Sequence, residues 1–154
     1  MNRTRMPTSA LPFVGRTREL AEVTARLASG DCRLLTITGM GGSGKTRLAS
    51  EAARLLEAQF SHGTAFVDLQ ALTHSKLLVG AIARALGMSF NGEAEPFEQL
   101  QEFLQNKALL LVLDNFEHLL DGADLIDRLR EKGAWSDRPA SAPTPLATAS
   151  AASP

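Results

Sequence analysis

Between the apolar run Arg33-Leu34-Leu35-Thr36-Ile37-Thr38 and an amphipathic stretch that opens at Lys45 lies Gly39-Met40-Gly41-Gly42-Ser43-Gly44-Lys45-Thr46. It matches the pattern G-x-x-x-x-G-K-[ST] at every fixed position. Glycines let the chain turn tightly with no side chains in the way, so successive backbone N–H groups converge on phosphate oxygens. A helix beginning at Lys45 adds the positive end of its dipole. In that setting Lys45 reaches β- and γ-phosphates, and the Thr46 hydroxyl can ligate Mg²⁺. Such a loop needs a strand before it and a helix after it, and the residues on either side read that way.

The rest of the chain alternates in the same manner. Helical spacing of Leu20, Val23, Thr24 and Leu27 predicts a helix over Thr17–Ser29, stopped by Gly30-Asp31. Arg33–Thr38, Thr64–Leu69 and Ala108–Leu113 are short, β-rich and apolar, and read as buried strands. Lys45–Phe60 is helical with Leu48, Ala52, Leu55 and Leu56 on one face. Ser75–Leu86 places Leu78, Ile82 and Ala85 inward, with Gly87 as its C-terminal cap. Pro96–Gln105 opens on a proline, and Phe116–Lys132 uses Leu119, Leu120, Ile126 and Leu129. Strands separated by helices predict an α/β fold, a parallel sheet of about three strands with helices on both faces.

The second chemical signal is Leu109-Leu110-Leu111-Val112-Leu113-Asp114. An acid at the carboxyl end of a buried parallel strand sits at the edge where α/β sheets bind ligands. Asp114 could there hold the Mg²⁺ that Thr46 also contacts, although an aspartate capping the next helix is an equally simple reading of the residue alone. Where many ATPases with this loop place a second acid, the residue is Asn115. Glu117 and His118 are the candidates to orient an attacking water; a first-turn glutamate also favours the helix dipole, and His118 can be merely solvated. Asp68 ends the second strand and is expected to cap a turn. His62 and His74 lack metal-ligand spacing.

Composition narrows the class. With 154 residues, net charge −1 and 44% hydrophobic residues, the chain fits one globular domain and exerts no general pull on nucleic acid. The lone Cys32 excludes an internal disulfide framework and any cysteine-based zinc cluster. No apolar run approaches the ~20 residues of a membrane helix, and the basic start has no apolar stretch behind it, so a cytoplasmic protein is expected. From Pro139 to Pro154 the chain is almost wholly Ala, Ser, Pro and Thr. Such a segment buries too little surface to offset the entropy of ordering. The expected organisation is a flexible lead over 1–12, a nucleotide-binding domain over 13–132, and a disordered tail over 133–154.

With these residues placed, the chain resembles the nucleotide-binding core of the STAND signal-transduction ATPases, related to NB-ARC domains, and especially that of bacterial transcriptional regulators of the LuxR and AfsR-like types. The resemblance rests on Phe13-Val14-Gly15-Arg16-Thr17-Arg18-Glu19-Leu20, on the phosphate loop running into Arg47-Leu48-Ala49, on Phe66-Val67-Asp68-Leu69, and on Leu113-Asp114-Asn115-Phe116-Glu117-His118. It implies that Val14, Gly15 and Arg16 lie against an adenine, favouring ATP or ADP, and that the domain is a slow switch holding ADP when closed and ATP when open. Gly39, Met40, Gly41, Gly42, Ser43, Gly44, Lys45, Thr46 and Arg47 complete the implied nucleotide site. Lys45, Asp114 and Glu117 are its catalytic candidates, and Thr46 with Asp114 its metal ligands. It also implies other domains or subunits that sense signals and contact DNA; for this chain itself no direct nucleic-acid contact is expected, since neither end has room for a helix-turn-helix, and no membrane contact.

The resemblance leads one to expect a fourth strand lying between the first and third and ending in a Thr-Ser-Arg-like triplet, whose arginine senses the γ-phosphate. The Ala/Ser/Pro tail shows no such triplet. Its loss would leave facing strand edges unpaired unless the two strands closed up on each other. A truncated or frame-shifted piece of a larger regulator is therefore expected. Two other functions stay open: a small-molecule kinase built on the same loop, and a remnant that no longer binds nucleotide well.

Overall fold

A strand that is apolar at every position must be covered on both faces. Leu110–Asp114 (β3) is buried at all five positions and sends alternate side chains to opposite sides. Leu110 and Val112 join Leu27, Leu48, Leu56, Phe60 and Phe66 on one face, while Leu111 and Leu113 join Leu78, Ile82, Leu100, Leu104 and Leu129 on the other. Each leucine so buried contributes about 1.5–3 kcal/mol.

The computed structural model describes residues 12–30, 32, 34–105, 107–132 and 146–151. The helices α1 (Thr17–Ala28) and α2 (Lys45–Leu56) cover the first face. The helices α3 (Leu78–Ala85), α4 (Pro96–Gln105) and α5 (Ala123–Lys132) cover the second. The strands β1 (Leu34–Gly39), β2 (Thr64–Asp68), β3 and β4 (Leu146–Ala151) form one parallel sheet in the order β1-β4-β3-β2. The expected α/β architecture, a parallel sheet with helices on both faces, is thus the one observed.

Two expectations about the carboxyl-terminal region are corrected. Residues 146–151, assigned to a disordered tail, form β4, so the sheet has four strands among the described residues and not about three. This strand fills the gap between the first and third strands, pairing Leu34–Gly39 with Leu146–Ala151 and Leu111–Asp114 with Leu146–Ala149. The physical reason is backbone satisfaction. An inner strand gains its ladder on both sides, which Leu-Ala-Thr-Ala-Ser-Ala can supply without large side chains. The lead up to residue 11 and the remainder of the tail lie outside the described residues.

Helix ends and faces shift in smaller ways. The helix expected over Lys45–Phe60 stops at Leu56 and continues as one 3-10 turn, Glu57–Gln59. Leu55 is exposed because the buried arc runs through Leu48, Ala49, Ala52, Ala53 and Leu56, and Leu55 falls just past its edge. Phe116–Gly122 is a 3-10 segment kinked at Leu119, and the altered phase turns Leu120 out to solvent while Leu119, Ile126 and Leu129 stay inside. Gly87 caps α3 as expected: it has φ +68°, its N–H donates to the Arg84 carbonyl, and that of Met88 donates to Ala83.

Candidate functional site

The parallel sheet puts the carboxyl ends of β1, β2 and β3 on one edge, and with them Gly39, Asp68 and Asp114. From Gly39 the chain turns through Met40–Ser43 and enters α2 at Lys45. Gly42 (φ +73°) and Gly44 (φ +79°) adopt left-handed conformations that side chains disfavour, which is why glycine stands there. The loop is closed by the Ser43 N–H donating to the Met40 carbonyl at 3.2 Å. The same carbonyl accepts the Lys45 ammonium at 2.8 Å, and Ser43 Oγ lies 3.4 Å from Lys45 Nζ. Lys45 therefore bends back over its own loop, the direction needed to meet an anion seated in it.

Thr46, one residue further on, donates its hydroxyl to Asp114, with Oγ1 3.0 Å from Oδ1 and 2.8 Å from Oδ2. Asp114 is only 5% exposed. Burial pushes its carboxyl above the ordinary aspartate range; the Thr46 hydroxyl and the Asn115 backbone oppose that shift, and the charges of Asp68 and Glu117 add to it. A carboxylate in this position gains from a cation. Asp114 and Thr46 offer only oxygen donors, and two protein ligands suit Mg²⁺, which keeps several waters and takes phosphate oxygens as its other ligands. Among the described residues no group of three or more His, Cys, Asp and Glu is gathered for a metal.

The residues after Asp114 are held on both sides. Asn115 is left-handed (φ +59°), and its side-chain amide donates to Asp68 Oδ1 at 3.1 Å. Asp68 Oδ1 also accepts the Gln70 N–H at 2.9 Å, the turn cap expected of it. Glu117 Oε2 is shielded from water and has no hydrogen-bond partner. His118 instead contacts the Leu72 carbonyl through Nε2 at 2.9 Å, tying the segment to the loop after β2.

The residues just ahead of α1 meet the loop from outside. Arg16 has φ +54°, uncommon for a side chain of its size, and its Nη1 donates to the Ser43 carbonyl at 2.7 Å. Val14 and Met40, 81% and 78% exposed, leave bare apolar side chains ahead of α1 and on the loop. Arg47 is held by the residues ahead of α1. Its guanidinium donates to the Pro12 carbonyl at 2.7 Å and lies 6.0 Å from the Phe13 ring centre. The structure thus brings Arg16 to the loop, and Lys45, Thr46 and Asp114 to one sheet edge. The Arg16–Ser43 and Asn115–Asp68 contacts were missed in sequence; the second had a signal, since Asp68 and Asp114 end neighbouring strands in register.

Comparison with known proteins gives a family and a fold. The family described as "AAA domain" matches residues 28–138. An HTH-type transcriptional regulator of Mycobacterium tuberculosis is 43% identical over 89 residues, 58% of this chain and 10% of its own length. The regulatory protein AfsR of Streptomyces coelicolor is 30% identical over 128 residues, 72% of this chain and 13% of its own. The chain thus spans about a tenth of the length of these regulators. Among solved structures, Cdc6p of Pyrobaculum aerophilum has a TM-score of 0.73 at 21% identity, covering 96% of this chain and 42% of that one. The ORC2 protein of Aeropyrum pernix has a TM-score of 0.63 at 20% identity, covering 99% and 45%. These two show the shared fold. Among the described residues no helix is long and apolar enough to cross a membrane.

Proposed function

The chain belongs to the AAA domain family, and on that premise we propose that it is an ATP- and ADP-binding module of a STAND-type transcriptional regulator, Mg²⁺-dependent and slow or inactive in hydrolysis. One observation carries this reading. The glycine loop between β1 and α2 faces the sheet edge where Thr46 already touches the buried Asp114, 68 residues away in sequence. The loop N–H groups and Lys45 supply the anion cradle; Thr46 and Asp114 would hold Mg²⁺, which neutralises phosphate charge when bound. Val14 and Met40, both exposed and apolar, offer surface for a base, as the resemblance of the Val14-Gly15-Arg16 segment implies.

Binding has more support than hydrolysis. Asn115 occupies the place after Asp114 where a second acid would serve as base, and it is tied to Asp68. Glu117, with its unpartnered Oε2, is the remaining group able to orient a water. A module that holds ATP and hydrolyses it slowly suits a switch. Contact with DNA, and reception of a signal, belong in this reading to other domains or subunits. Titration of fluorescent ATP and ADP into the purified chain with Mg²⁺, beside Lys45→Ala, tests the reading: the expected result is binding to the parent chain that the variant loses.

A further inference from the structure

We infer that Arg16 is a positioning residue for the phosphate loop: it grips the Ser43 carbonyl and thereby aims the Gly44 N–H at the bound phosphate. The inference rests on the nucleotide-binding reading above and deepens it: Arg16, which the resemblance lays against the adenine, acts instead through the loop.

The Ser43 carbonyl and the Gly44 N–H belong to one peptide unit. In a trans unit they point in opposite directions, and every described peptide bond is trans. Arg16 Nη1 holds the Ser43 oxygen at 2.7 Å from outside the loop. The Gly44 N–H on the far side of the plane is then directed away from Arg16. Gly44 precedes α2 and is left-handed, so with no side chain to restrain it, this peptide would otherwise reorient easily. A charged donor on its carbonyl supplies the missing restraint and polarises the N–H.

The lead is built to keep Arg16 there. Arg47, on the first turn of α2, donates to the Pro12 carbonyl at 2.7 Å, so the lead is fastened to the helix that the loop opens. Glu19 Oε1 lies 3.3 Å from Arg16 Nε and holds the guanidinium from the α1 side. Arg16 itself keeps the left-handed backbone that a β-carbon disfavours. Strain of this kind persists where the surroundings over-determine it, as these three contacts do.

The test uses the full chain, labelled with ¹⁵N, as parent, Arg16→Ala and Arg16→Lys. Without nucleotide, the Gly44 amide resonance is expected to move in Arg16→Ala and to return part of the way in Arg16→Lys. MgATP and MgADP affinities are expected to fall in Arg16→Ala by the same factor, about tenfold, with adenosine unaffected. A Gly44 resonance unmoved in Arg16→Ala overturns the inference. So does a loss for ATP much larger than for ADP, which marks a direct γ-phosphate contact, or an equal loss for adenosine, which marks a base contact. Should Arg16→Ala fail to fold, Arg16→Gln is read by the same criteria. If the parent chain bound no nucleotide, the functional reading would fall, while the nucleotide-free resonance would still decide the role of Arg16.

Discussion

Thr46 and Asp114, 68 residues apart, share one hydroxyl hydrogen between two carboxylate oxygens at 3.0 and 2.8 Å. The contact joins the first turn of α2 to the end of β3, and so fixes the phosphate loop against the sheet edge. It also holds a buried carboxyl that burial pushes above its ordinary range, a setting in which a cation binds well.

Asp114→Asn separates these two roles. The native carboxyl titrates above its ordinary range, chiefly through burial. Between the ordinary value and the raised one the folded state holds more protons than the unfolded state. Stability contributed by this group is therefore lost as pH rises through that window, and stays lost above it. Without nucleotide or metal, Asp114→Asn is expected to melt higher than the parent at neutral pH and to show a flatter decline with rising pH. The gain in nucleotide affinity on adding Mg²⁺ should vanish. Melting curves across a pH series, with nucleotide titrations with and without Mg²⁺, check both.

Glu117→Gln probes the side chain whose Oε2 has no hydrogen-bond partner. ATP and ADP affinities should stay within about twofold, and whatever phosphate release the parent shows should fall by about tenfold or more. Unchanged release would assign Glu117 to the helix dipole alone.

Ala149→Pro tests β4. Ala149 is paired with Ile37 on one side and Asp114 on the other. Proline removes an N–H from an inner strand and should cost about 3 kcal/mol or more. Thermal melting together with amide exchange in Leu34–Gly39 and Leu110–Asp114 reads the effect; unaltered protection there would mean that β4 does not brace these strands.

Leu110→Ala addresses the core beneath the loop. Leu110 is fully buried among Leu48, Leu56 and Phe66, and truncation should cost about 2–5 kcal/mol, measured by denaturant unfolding.

The parts legible in sequence were those set by local chemistry. The glycine loop, β3 with its terminal Asp114, and the inward face of α3 all follow from spacing, and the structure places them accordingly. What escaped depends on partners distant in the chain. Leu-Ala-Thr-Ala-Ser-Ala has too little apolar surface to announce a strand, and becomes one because two neighbouring strands need its backbone. Leu120 reads as inward on an ideal helix and turns outward because a 3-10 kink at Leu119 resets the phase. Arg16, which the resemblance lays against an adenine, carries no sign in the sequence of the Ser43 carbonyl that the fold brings to it.

The most direct measurement is the titration of fluorescent ATP and ADP into the 154-residue chain with Mg²⁺, repeated with Lys45→Ala. Lys45 already sits against the Met40 carbonyl at the mouth of the loop, so removing its ammonium takes away the charge that meets the phosphates. Saturable binding of both nucleotides, weakened at least about tenfold in the variant, is the expected result. Equal binding by the two proteins, or none by the parent, would contradict it.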